Sequence, residues 1–234
     1  MIDKIKIFFT KYEWVLVALF VLTFILVRLA GTGLPLHQDE YKWLGVGAPT
    51  TQVGLIPHPP LGELIYQAGG SIVGFNNNFR FIPLFFGSVN LVLLWCLMKV
   101  IFGRREAFIA SFIWIFSYFS VLASLMVDTD GAVMPFFFLV SLIGYYKLKS
   151  SDSKERFWWG ILLAVGLICG LLIKVSFLLA IGAIIADFLW SKRGLITRKD
   201  LLNYSFYAFV SIILFIGLLF VLKAIFPFFD LKNA

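Results

Sequence analysis

From Phe157 to Trp190 the chain runs 34 almost wholly apolar residues, broken near the middle by Lys174. As one helix this run would measure about 50 Å, against a hydrocarbon core about 30 Å thick. A lysine stranded at mid-bilayer would cost at least about 2.5–3.5 kcal/mol. A break there gives two shorter spans, 157–173 and 175–190, and brings Lys174 to a membrane edge. Five further stretches suit a spanning helix: Trp14 to Ala30, Phe81 to Phe102, Ala107 to Val127, Ala132 to Tyr146 and Tyr204 to Ile225. The fourth is short and must stand nearly upright or draw in its flanks. The expectation is an all-α polytopic membrane protein of about seven spans. Composition agrees: 61% of residues are hydrophobic and 14% charged, whereas a soluble domain carries about a quarter charged residues. A water-soluble fold, disorder, collagen and coiled coil are thereby set aside. Cys96 and Cys169 lie inside apolar runs and read as small lipid-zone residues, not as a disulfide or metal pair.

The net charge of +7 invites a nucleic-acid reading, but its distribution argues for membrane orientation. Lys and Arg favour cytoplasmic loops. Lys4, Lys6 and Lys11 precede the first span; Lys99 lies at the end of the second, and Arg104 and Arg105 follow it. Lys147, Lys149, Lys154 and Arg156 follow the fourth, and Lys192, Arg193, Arg198 and Lys199 follow the sixth. Fourteen of the 20 basic residues thus share one side, which implies a cytoplasmic N-terminus and an external C-terminus in a cell membrane. Met1 to Ala30 has the basic start and apolar run of a signal peptide. Arg28 and the lack of a small-x-small site favour an uncleaved anchor. The Asn203-Tyr204-Ser205 sequon falls on the cytoplasmic side and is discounted.

The outer loops are sparse in charge yet hold Asp39, Glu40, Glu63, Asp128 and Asp130. The first outer segment, residues 31–80, is long and rich in apolar side chains, including Tyr41, Trp43, Ile65 and Tyr66. It is expected to form interfacial helices. Pro59-Pro60 should hold His58 extended and start a helix near Leu61. Irregular backbone at that depth needs shelter from protein or a wet cavity, so a cavity roofed by this segment is expected at the outer face.

Asp39-Glu40 reads either as a catalytic or substrate-binding carboxylate pair or as a solvated loop. Asp128-x-Asp130 lies in a tight loop without a basic neighbour, where two like charges cost energy unless a cation, proton or hydroxyl-rich ligand shares them. The alternative is a pair of turn-forming or capping aspartates. Two carboxylates fall short of a divalent metal's coordination shell, so no metal ligand set is assigned, though a divalent ion stays an open alternative. Lys174, between two apolar spans, must find water, an acid or an anionic ligand. His58 could meet phosphate or orient a base; Arg80 could do the former or snorkel to lipid headgroups. Brought together beside the headgroups, these groups suit an anionic lipid substrate. Lys174, Arg80 and His58 would face its phosphate, and an aspartate would activate an incoming hydroxyl.

Five segments in this order carry a family resemblance: Gln38-Asp39-Glu40; His58-Pro59-Pro60-Leu61-Gly62; Phe79-Arg80-Phe81-Ile82-Pro83; Val127-Asp128-Thr129-Asp130 followed by Pro135-Phe136-Phe137; and Leu171-Leu172-Ile173-Lys174. From about Trp14 to Trp190 the chain resembles GT-C-fold glycosyltransferases. The branch is that of protein O-mannosyltransferases and lipid A aminoarabinose transferases, with their lipopolysaccharide-core relatives. The resemblance implies a single GT-C-like module over 1–234. It also implies inverting transfer of a sugar from a polyprenyl-phosphate donor to a glycan, lipid or protein hydroxyl at the extracytoplasmic face. Asp39 matches the family's first-loop acid, a candidate base, with Glu40 beside it. Asp130 matches the acid after the third span and Lys174 a lysine at donor phosphate. His58 stands where the aminoarabinose branch carries lysine, and Pro57 where it carries glutamate, so a metal site of that type does not transfer.

Family members run to several hundred residues with further spans, whereas this sequence stops at Ala234. A front portion, a split gene product or a minimal form is expected. Two other readings stand beside the transferase: a transporter or flippase subunit with Lys174 and Asp130 as an intramembrane ion pair, and a catalytically incomplete fragment.

Overall fold

A chain in hydrocarbon has to satisfy its backbone hydrogen bonds within itself, and among the described residues every regular element is helical. The computed structural model describes residues 12–45, 59–151 and 153–191, with positions 213, 216, 217 and 220. His58, the basic arms at Lys4 to Lys11 and Lys192 to Lys199, the sequon and most of the expected seventh span lie outside them.

Helix α1 is Glu13–Thr32. After a 3-10 turn at Gln38–Glu40 come the short α2, Tyr41–Gly45, and α3, Pro60–Val73. A 3-10 turn at Asn77–Arg80 leads into α4, Phe81–Ile101. Helices α5, Arg104–Phe116, and α6, Tyr118–Leu125, come next. A π-helical turn at Thr129–Val133 opens α7, Met134–Ser150. Helix α8, Ser153–Ile173, a 3-10 turn at Val175–Phe177 and α9, Leu178–Ser191, complete the set.

Among the described residues, four stretches are long and apolar enough to cross a membrane: Glu13–Thr32, Asn78–Ile101, Thr129–Ser150 and Glu155–Ile173. The third runs past the expected end at Tyr146, so it has ample length to cross. The expected span at Ala107 to Val127 is bent by 64° between α5 and α6, where Ser117 is extended at φ −64°, ψ 128°. Counted as one crossing, the bent pair makes five, beside the shorter apolar helix Val175–Ser191. The 34-residue apolar run is broken at Lys174, whose backbone is extended at φ −159°, ψ 137°.

The two ends of the bundle differ in charge. At one end Glu13 is buried against α4 and α5: it accepts from Trp95 Nε1 at 3.2 Å, pairs with Lys99 and lies 3.2 Å from Arg104 Nε. Ile101, Tyr146 and Trp159 pack around Leu97, Leu139 and Ile143. Close by, Tyr145 Oη donates to Asp187 at 2.6 Å and Lys149 Nζ lies 3.2 Å from the same carboxylate. This is the basic end. At the other end an aromatic core of Trp43, Tyr66, Phe79, Ile82, Val127, Val133 and Ile173 gathers residues from α2, α3, α4, α8 and the π-helical turn. Tyr66 lies with its ring centroid 4.9 Å from that of Trp43 and 5.5 Å from that of Phe79. Two acids named from sequence touch this core: Glu40 bonds the Val127 N–H, and the Asp128 carbonyl accepts from Tyr66.

Candidate active site

The acidic end is built from three irregular connections. In the first, His37 to Glu40 form a reciprocal capping box. The His37 ring accepts from the Asp39 N–H at 3.3 Å, and the Glu40 carboxylate accepts from the His37 N–H. Successive side chains of a tight turn diverge. Asp39 is thus 65% exposed at its side chain, with Oδ2 3.5 Å from His37 Nδ1, and Glu40 is buried.

Glu40 is fully engaged. Its Oε2 meets Arg80 Nη2 at 2.7 Å, and its Oε1 accepts from the Val127 N–H at 2.8 Å. Arg80 adds bonds to the carbonyls of Gly31, at 3.0 Å, and Pro35, at 2.9 Å. Among the described residues its Nε–H alone lacks a partner. Glu40 and Arg80, the charges expected at the substrate, join segment 31–80 to the start of α4 and to the connection after α6.

The second connection, Val127 to Val133, carries the aspartates. Asp128 caps the π-helical turn, accepting from the Thr129 N–H at 2.7 Å. Its carbonyl accepts from Tyr66 Oη at 2.9 Å. Burial first, and the nearby charges of Asp128 and Glu40 second, hold the Tyr66 phenol well above its ordinary pKa, so it stays a donor. Beside it, a Cβ on Gly62 would lie 2.7 Å from Thr129 Cγ2, so the start of α3 rests directly on the acid loop. Asn90 Nδ2 donates to the Ala132 carbonyl at 2.7 Å, occupying a backbone acceptor in the widened turn. Such turns concentrate at functional positions.

The third connection is the break at Lys174. Its ammonium pairs with the Asp130 carboxylate. The side chains are 29% and 44% exposed respectively, so the pair remains open to an incoming ligand. Lys174 and Asp130 are therefore in direct contact. Among the described residues Asp39 contacts His37 and not this pair; its neighbour Glu40 bonds the backbone just before Asp128. Lys174 and Asp130 thus form one contact, with Asp128 in the same turn and Glu40 and Arg80 joined to that turn through Val127; Asp39 stands exposed beside Glu40, and His58 lies outside the described residues.

Sequence reasoning gave no site role to several supporting groups. Tyr66 reads as an interfacial aromatic, and no local pattern shows that its hydroxyl reaches residue 128. Asn90 is a polar group inside an apolar run, which is a usable signal. Glu63 is 5% exposed on the face of α3 that carries Gly62 and Tyr66. Burial pushes its carboxyl above the usual range, and no hydrogen bond or ion pair reaches it among the described residues. Also among the described residues, no group of three or more His, Cys, Asp or Glu side chains could hold a metal ion.

A sequence model described as dolichyl-phosphate-mannose-protein mannosyltransferase matches residues 57–220. The match takes in Arg80, Asp128, Asp130 and Lys174 and begins after Asp39 and Glu40. No curated protein matches the chain.

Proposed function

This chain belongs to the dolichyl-phosphate-mannose-protein mannosyltransferase family, and from that premise we propose that it is an inverting glycosyltransferase. It takes a sugar from a polyprenyl-phosphate donor and passes it to a hydroxyl of a glycan, lipid or protein acceptor at the extracytoplasmic face. That the protein is a multi-pass membrane glycosyltransferase of the GT-C type follows from the family and the apolar helices. The GT-C-like bundle of about seven spans with interfacial helices in residues 31–80, the cell membrane and the outward direction of the acidic end belong to the proposal.

The observation that carries the reading is the Lys174–Asp130 pair. A cation and an acid meet at a helix break, tied through Glu40 and Val127 to the turn that exposes Asp39. In the proposed reaction, the Asp39 carboxylate takes the acceptor hydroxyl's proton while that oxygen attacks the anomeric carbon. The bond from this carbon to the phosphate oxygen breaks, and its electron pair leaves with the lipid phosphate. Lys174 stabilises the added negative charge. Asp130 holds the ammonium in place before the donor arrives, and Asp128 and His58 contact substrate.

The test is sugar transfer from a polyprenyl-phosphate donor in membranes containing Asp39→Asn. Loss of transfer with unchanged insertion and thermal midpoint supports the assignment; unchanged transfer removes Asp39 from the mechanism.

A further inference from the structure

Arg28 lies near the end of α1 and is fully buried, and among the described residues it has no ion-pair partner. An uncompensated cation in a membrane bundle is costly, and here its donors are taken up by α5, α6 and its own helix. Nε donates to Ser124 Oγ at 2.6 Å and Nη2 to Ser120 Oγ at 3.0 Å. Nη1 donates to the Ile115 carbonyl at 3.1 Å and to the Phe24 carbonyl at 2.9 Å. The guanidinium carbon sits 3.4 Å from the centroid of the Phe24 ring.

Three of these acceptors straddle the bend between α5 and α6. In an unbroken helix the Ile115 carbonyl would accept from the amide four residues on; the extended Ser117 prevents this, and Arg28 supplies the donor instead. Ser120 and Ser124 are one turn apart on the same face of α6, and the planar guanidinium reaches both. One turn beyond Arg28, a Cβ on Gly31 would collide with Leu125 Cδ1, so α1 and α6 are in close contact there. Across α6, a Cβ on Gly131 would collide with the Ala123 carbonyl oxygen. The two-turn helix α6 is therefore held by Arg28 on one side and presses on the residue after Asp130 on the other.

We propose that Arg28 is a positioning residue that fixes the bend of the third span, and through α6 and Gly131 sets the placement of Asp130 against Lys174. The role rests on the transferase reading for its catalytic consequence, but not for its structural one. Displacing a reacting group by about 1 Å can cost on the order of 100-fold in rate, so a loss in kcat with little change in donor KM is expected.

The experiment uses the full chain in nanodiscs with Arg28→Gln and, separately, Ser120→Ala/Ser124→Ala. The second variant keeps the cation and removes two acceptors, so it carries the test alone if the first does not fold. Two quantities are read per folded molecule. One is kcat and KM for a polyprenyl-phosphate sugar. The other is the rate at which a charged thiol reagent labels Asp130→Cys in a chain that also carries Cys96→Ser and Cys169→Ser. The expected result is a fall in kcat of about 10-fold to 100-fold with KM little changed, and a several-fold change in labelling rate. Unchanged kcat and labelling in folded variants of an active protein overturn the proposal. If the unmodified chain transfers no sugar, the transferase reading fails by itself. The labelling rate then decides the positioning role: a change supports it and no change overturns it.

Discussion

Glu40 Oε2 and Arg80 Nη2 lie 2.7 Å apart, with the arginine and glutamate side chains 8% and 1% exposed, and the chain between them forms most of the first outer segment. This contact closes a loop of 40 residues. The other carboxylate oxygen of Glu40, bonded to the Val127 amide, brings the loop to the aspartate-bearing turn.

Breaking that pair from one side should cost about 3–5 kcal/mol, because the remaining charge is left buried. Glu40→Gln and Arg80→Met are each expected to lower the thermal midpoint sharply, and the double variant to lose less than their sum. Unfolding measured as a double-mutant cycle in detergent checks this. A change confined to donor KM, with all midpoints intact, would show that Arg80 serves the substrate and not the scaffold.

The Lys174–Asp130 pair should behave oppositely. Both side chains are partly exposed, and such pairs contribute about 0–1 kcal/mol to stability. Lys174→Met is expected to leave the midpoint almost unchanged while lowering transfer by about 100-fold or more, the scale of losing an electrostatic contact to a leaving group. Lys174→Arg should recover part of the rate. Side-by-side midpoint and transfer assays separate the two effects; a large stability loss with normal specific activity would reverse the assignment.

Glu63 makes the stability of the outer segment depend on pH. Its carboxyl pKa is raised in the folded chain by burial, so the folded state holds the proton more tightly than the unfolded one. Stability is then highest below the ordinary carboxylate pKa. It falls as pH rises from that value to the raised one, and is level beyond. Glu63→Gln should remove this slope and raise the thermal midpoint at neutral pH relative to the parent, with the gain vanishing in acid. Midpoints measured from about pH 4 to about pH 8 test it; a parent that gains stability across that range would contradict the sign.

Much of the membrane character is legible locally. Apolar run length, the expense of an ammonium in hydrocarbon and the bias of Lys and Arg among loops are properties of neighbouring residues. Asn90, a polar amide in its apolar run, already marks an unusual position. Asp130 and Lys174 could be named from their residue types and surroundings. The division of labour within Asp39-Glu40 could not, because adjacent acids look alike until a turn points one to solvent and the other at Arg80.

Sequence alone determined that this chain is a string of apolar helices with a charged, irregular acidic end, since burial energies in a bilayer scale with residue type and run length. Tertiary structure decided which charges are available. Arg28, Glu40 and Arg80 are engaged by partners up to 96 positions away, while the side chains of Asp39, Asp130 and Lys174 stay partly open. Long-range pairing depends on how helices bend and pack, and the 64° turn at Ser117 that brings Ser120 and Ser124 to Arg28 leaves no mark in local hydropathy.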